Sequence, residues 1–164
     1  MREQKYGANS RVDFLLSNGS KTCYLEVKSV TLCRQEKIAE FPDTVTSRGA
    51  KHLKELSKTV SANTRAIVLY LVQRSDCNYF KIADDLDQTY LDETILSKNS
   101  GVESVSYRVN FLSNGIELGY KLELIDNSSF WTDKLQHDKG WLFEFSKGAA
   151  QVKRWNRFIF QKRF

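Results

Sequence analysis

Asp13, Glu26 and Lys28 are the residues whose types and spacing could do chemistry, in the pattern D-x12-E-x-K. Two carboxylates converging beside an ammonium make a hard-oxygen site suited to Mg²⁺ or Mn²⁺. An ion held there would polarise a phosphodiester and stabilise its leaving oxygen, with the lysine orienting or helping to deprotonate an attacking water. Arg11 or Arg48 would add phosphate contacts. The blander reading is a solvated strand face on which Arg11 and Glu26 form a cross-strand ion pair. Such a pair contributes at most about 1 kcal/mol.

The choice depends on the elements that carry these residues. Glu26 and Lys28 lie in CYLEVKSVTL, residues 23–32, whose valine, leucine and tyrosine predict a β-strand. Side chains two apart share a face, so the two project together, roughly 7 Å apart. RVDFLL at residues 11–16 predicts the partner strand, and the intervening Asn18-Gly19 predicts a tight hairpin. With Ser17 opposite Ser20, Asp13 would face Tyr24 and Arg11 would face Glu26. Asp13 and Glu26 would then lie diagonally on one face, roughly 7–8 Å apart at the backbone. A three-residue loop would instead turn Asp13 to the opposite face.

Beyond the hairpin, RQEKIAEFPD reads as irregular, with Pro42 marking a boundary. Asp43 or Thr44 can cap a helix running to about Ser61, with Val45, Leu53, Leu56 and Val60 as its apolar stripe. Lys51, Lys54, Glu55 and Lys58 then fall mostly outside. The three lysines suit an ordinary solvated face or, alternatively, a track along a phosphate backbone. His52 sits beside Leu53 and one turn after Arg48, at the edge of the stripe. A lone helix histidine is more often a packing or capping residue than a catalytic one. Strands over 65–74 and 78–83, a helix over 87–98, and strands over 102–111 and 116–124 complete a mixed α/β sheet with flanking helices.

The 164 residues suit one domain with a sizeable core. MREQKYGANSR has no apolar stretch of the kind a secretory signal needs, and AIVLYLV is too short to span a bilayer. Three cysteines without C-x-x-C spacing suggest reduced thiols and a cytoplasmic setting, and two histidines argue against structural zinc. Residues 1–125 hold 17 Lys/Arg against 16 Asp/Glu, while residues 126–164 hold 8 against 4, so the net charge of +5 is concentrated in the tail. All three tryptophans lie there as well, at 131, 141 and 155. Aromatics among basic residues could stack bases and neutralise phosphates. Trp141, Phe143 and Phe145 equally alternate as a short strand would, and an adventitious C-terminus is a third reading.

NSRVDFLL, CYLEVKSVTL, FPDTVTSRGAKHLKEL and RAIVLYLVQR, in this order, closely resemble the sugar fermentation stimulation proteins of bacteria and archaea. LDQTY and the strand after Gly101 continue the resemblance, which spans about residues 3–124. It implies the PD-(D/E)xK, restriction-endonuclease-like fold, a small mixed sheet flanked by helices. It also places Asp13, Glu26 and Lys28 on that superfamily's metal-site positions, with Asp43, Arg48 and His52 as secondary candidates. The implied organisation is a nuclease-like domain over 1–125, without the family's N-terminal OB-like domain, and an atypical tail over 126–164. The implied partner is nucleic acid, DNA foremost, with no membrane involvement. The implied function is a DNA-binding domain with a divalent-metal site, suited to phosphodiester hydrolysis. The alternatives are a non-catalytic DNA-binding regulator of sugar-utilisation genes and an inactive remnant.

Overall fold

The computed structural model describes residues 4–6 and 10–125. The expectations for the tail, Trp131, Trp141 and Trp155 included, lie outside the described residues.

Strand β7 (Thr64–Val72) is the centre of the fold, and its composition explains why. TRAIVLYLV carries apolar side chains on both faces, the pattern of a strand covered on both sides. Ala66, Val68, Tyr70 and Val72 point into one apolar cluster, and Ile67 and Leu69 into a second on the opposite face. Around it forms a five-stranded sheet in the order β10-β9-β7-β4-β3. These strands are β3 (Phe14–Asn18), β4 (Lys21–Val30), β9 (Glu103–Leu112) and β10 (Gly115–Lys121). β4, β7 and β9 run parallel, and the two edge strands pair antiparallel. The larger cluster is covered by helices α1 (Ser47–Ser57) and α2 (Gln88–Asn99).

The stretch expected to be irregular, 34–43, instead contributes to β5 (Leu32–Gln35) and β6 (Ile38–Phe41). They pair antiparallel and join β8 (Tyr79–Ile82) and β11 (Glu123–Leu124) in a second sheet ordered β11-β8-β6-β5. The cause is a buried carboxylate that the polar letters conceal. Glu40 has a fully covered side chain and accepts from Arg34 Nε at 2.9 Å and from Lys81 Nζ at 3.1 Å. The turn between the two strands uses Lys37 at φ 66°, a conformation uncommon for a residue with a side chain.

Helix α1 starts later than expected. Its cap is Thr46, whose hydroxyl accepts from Gly49 N at 3.1 Å, rather than Asp43 or Thr44. Asp87 fixes this choice: its carboxylate accepts from Thr46 N at 2.8 Å and from Tyr90 N at 2.9 Å, capping α2 and seating α1 at once. Val45 is therefore outside the helix and 71% exposed, not part of the apolar stripe. Leu53 and Leu56 do occupy the core. Glu55, expected outside, is buried.

Candidate functional site

The face on which Glu26 projects is set by the parity of β4. Cys23 and Leu25 enter the smaller cluster, while Tyr24 and Val30 pack on the helix-covered side, so Glu26 and Lys28 share the side of α1. Glu26 is only 4% exposed. Its Oε1 accepts from Lys28 Nζ at 2.9 Å and stands 2.6 Å from His52 Nδ1 on α1. A carboxylate only accepts, so His52 donates through Nδ1 and keeps Nε2 for other partners. Burial pushes the Glu26 carboxyl up, but the His52 hydrogen bond and the Lys28 ammonium outweigh it and hold the group below its ordinary value. Its other oxygen, Oε2, is buried without a hydrogen-bond partner among the described residues.

Asp13 reaches the same place through a break in its strand. The segment expected as one strand over 11–16 divides into β2 (Ser10–Val12) and β3, with a bend at Asp13. β2 pairs with β1 (Gln4–Tyr6). The hairpin register also differs by two from the expected one: Ser17 faces Thr22 and Asn18 faces Lys21, with Gly19 (φ 61°) and Ser20 as the loop. An even shift leaves every side chain on its face. Phe14 aligns with Leu25, which brings Asp13 alongside Glu26, and Asp13 Oδ2 accepts from Val27 N at 2.9 Å. The expected Arg11–Glu26 cross-strand pair is not formed, because Arg11 lies opposite Lys5 in β2.

These residues border a cleft of about 850 Å³ lined by Ser10, Arg11, Val12, Asp13, Ser47, Arg48, Lys51 and His52. One wall thus carries Asp13, and the other presents the first turns of α1 with Arg48 and Lys51. Lys51 also lies 3.8 Å from Glu55. Of the secondary candidates, Arg11, Arg48 and His52 line the cleft and Asp43 does not; it is exposed in the loop before α1. Lys54 on α1 and Lys58 just after its end are exposed, away from the cleft lining.

Sequence reasoning missed Tyr6, Ser10 and Glu55. Glu55 follows His52 by one helical turn, which was the available signal. Tyr6 and Ser10 lie on two three-residue strands too short to show periodicity. Among the described residues no three His, Cys, Asp or Glu side chains gather to hold a metal. Asp13 and Glu26 carry hard-oxygen groups of the kind a divalent ion takes, and Glu26 Oε2 has no hydrogen-bond partner among the described residues.

Residues 1–115 match the family described as the sugar fermentation stimulation protein RE domain. The chain belongs to this family. A sugar fermentation stimulation protein homolog of Roseobacter denitrificans is 54% identical over 117 residues, covering 71% of this chain and 50% of the relative. The Rhodospirillum centenum homolog is 48% identical over 124 residues, covering 75% and 53%. The solved structure of Pyrococcus furiosus SfsA in complex with Ca²⁺ superposes with a TM-score of 0.68 at 26% identity, over 76% of this chain and 53% of that one. The mixed α/β fold with two helices is thus the family's restriction-endonuclease-like domain. The chain spans about half the length of the relatives it matches. No helix among the described residues is long and apolar enough to cross a membrane.

Proposed function

We propose that this domain binds nucleic acid, DNA foremost, and hydrolyses phosphodiester bonds with a divalent ion held by Asp13 and Glu26. The observation that carries the reading is the ionised, nearly buried Glu26, fixed by Lys28 and His52 beside a cleft rich in cationic side chains. The Ca²⁺ in the archaeal relative supports a divalent ion, and Mg²⁺ or Mn²⁺ suits the chemistry better than zinc. When bound, such an ion supplies charge stabilisation at the phosphoryl oxygens and the leaving oxygen.

The chain's own residues then have separable tasks. Arg11, Arg48 and Lys51 receive phosphate oxygens along the cleft. Glu26 is held rigid by its two partners, so the carboxylate is preorganised. Lys28, 14% exposed, orients a water or takes part in its deprotonation from the Glu26 side.

Asp13→Asn is the discriminating variant, because an amide oxygen can still accept from Val27 N while one ligand charge is lost. We expect Mn²⁺ affinity to fall about tenfold or more and the melting temperature to stay within a few degrees. Cleavage of a labelled oligonucleotide with Mn²⁺ should disappear in Asp13→Asn and Lys28→Ala. Unchanged Mn²⁺ affinity in Asp13→Asn would reject the metal assignment. DNA binding without cleavage in the wild type would favour the regulator reading instead.

A further inference from the structure

Two of the cysteines come together in the fold although they are far apart in the sequence. Cys33 lies on β5, and Cys77 lies in the segment between β7 and β8. Hydrogen bonds lace these two stretches to each other. Gln73 N donates to Val30 O at 2.9 Å, Arg74 Nη1 to Thr31 O at 3.4 Å, and Asn78 N to Lys37 O at 2.9 Å. Both cysteines fall between the first and last of these ties. Cys77 is fully buried in the main apolar cluster, and Cys33, half-buried, packs against that same cluster. The thiols meet there, each within hydrogen-bonding reach of the other. Cys23, by contrast, is buried in the smaller cluster on the opposite face of the sheet.

The surroundings give the two thiols different tasks. Cys33 Sγ donates to Gln35 O at 3.1 Å and stands near the guanidinium of Arg74. That guanidinium is partly exposed and paired with Asp76 at 2.6 Å. Cys33 is therefore the sulfur that a small solute reaches, with a cationic donor beside it. Cys77 Sγ donates to Asp76 Oδ1 at 3.7 Å. Burial, together with Cys33, pushes the Cys77 thiol up to about 12, so it stays protonated. Cys77 is shielded from solutes but not from Cys33. When an accessible thiol has a second thiol at hand, a sulfenic acid formed on it is captured as a disulfide before it climbs to sulfinic acid.

We propose that Cys33 and Cys77 form a modification site for hydrogen peroxide, with Cys33 the reacting thiol and Cys77 the resolving one. The Cys33 sulfur attacks one peroxide oxygen: the S–O bond forms, the O–O bond breaks, and the Cys33 proton leaves with the second oxygen as water. The Cys77 sulfur then attacks Cys33. The S–S bond forms, the S–O bond breaks, and the departing hydroxide takes the Cys77 proton as a second water. Two thiols are thus oxidised by two electrons in all, and the peroxide is reduced to two waters. Arg74 steadies the negative charge that develops on the departing oxygens. The disulfide encloses residues 34–76, the stretch that carries α1 with Arg48, Lys51 and His52. Closing so long a loop stabilises the folded chain by restricting the unfolded one. Neither cysteine lines the cleft, so the proposal stands apart from the metal reading.

The test uses the full chain, reduced and then freed of reductant, with hydrogen peroxide as the sole oxidant. A digest made without reductant should hold Cys33 and Cys77 in one crosslinked pair of peptides. The melting temperature should rise by about 5 °C or more, as closure of a long loop predicts, and return to its starting value with dithiothreitol. Cys23→Ser should form the crosslink as the wild type does. Cys77→Ala should instead accumulate a sulfenic acid on Cys33 that dimedone traps. In Cys33→Ser, Cys77 should stay alkylatable after unfolding in denaturant. Cys33 and Cys77 both remaining alkylatable in the peroxide-treated wild type would overturn the proposal. A disulfide that involves Cys23 or a second chain would do the same, as would a melting temperature lowered by the crosslink. If Cys77→Ala does not fold, the wild-type crosslink and the thiol loss in Cys33→Ser decide: loss at the wild-type rate rejects Cys33 as the reacting sulfur.

Discussion

Glu26 is the residue on which two elements converge, and its ionisation should be visible in stability. Its folded-state pKa lies below the ordinary 4.5, so the ionised form is favoured by folding. The contribution is fully present above about pH 4.5 and is lost as pH falls through the folded value. Urea unfolding of the wild type should therefore weaken from pH 6 to pH 3.5, and Glu26→Gln should show a shallower decline. Parallel declines in the two proteins would mean that Glu26 is not held ionised by Lys28 and His52. The His52 contribution is separable: removing its ring leaves a buried carboxylate with one fewer donor, a loss of about 1–3 kcal/mol.

At the scale of elements, α1 is positioned by its first turn. A Cβ on Gly49 would stand 2.9 Å from Thr46 Cγ2 and Oγ1 and 3.0 Å from Tyr90 Cε2. Alanine favours helix over glycine by roughly 1 kcal/mol, but here it would displace the cap and press on α2. Gly49→Ala should be net destabilising by about 1–3 kcal/mol, the usual cost of overpacking, measured by chemical denaturation. A more stable variant would show that the cap has room to move. The start of this helix also marks where sequence reading reached its limit. Asp43, Thr44 and Thr46 are all acceptable caps locally, and only Asp87, 41 residues on from Thr46, selects among them. β4 and β7 were legible because their apolar letters alternate or run continuously. β5 and β6 were not, because Arg34, Glu40 and Lys81 satisfy one another across strands and read as loop letters when taken singly. Asp13, Glu26 and Lys28 could be chosen from spacing and resemblance, and an even register shift left their faces intact. Glu55 was lost because a charged letter on a helix is ordinarily solvated.

At the scale of the whole molecule, the main apolar cluster draws on segments from Tyr6 to Leu122, and Leu124 packs against it. A chain ending at Ile125 should accordingly melt cooperatively and stay soluble. Removing residues 126–164 takes away 8 Lys/Arg and 4 Asp/Glu, a net charge of +4. Non-specific DNA binding should weaken and lose part of its salt dependence. A molten or insoluble product would show that the tail belongs to the core.

The parallel pairing of β4 with β7 has a further consequence, in time rather than space. Glu26 aligns with Val68, and the chain between them, α1 included, must fold back before β4 gains this neighbour. Closing such a loop costs entropy before any contact rewards it, which slows folding into roughly the millisecond-to-second range. The carboxylate strand has little to hold it until β7 arrives. Competence to bind Mn²⁺ should therefore emerge at the same rate as native sheet signal after dilution from urea. A binding phase that runs ahead of the sheet would mean that the β3–β4 hairpin and α1 can assemble their centre alone.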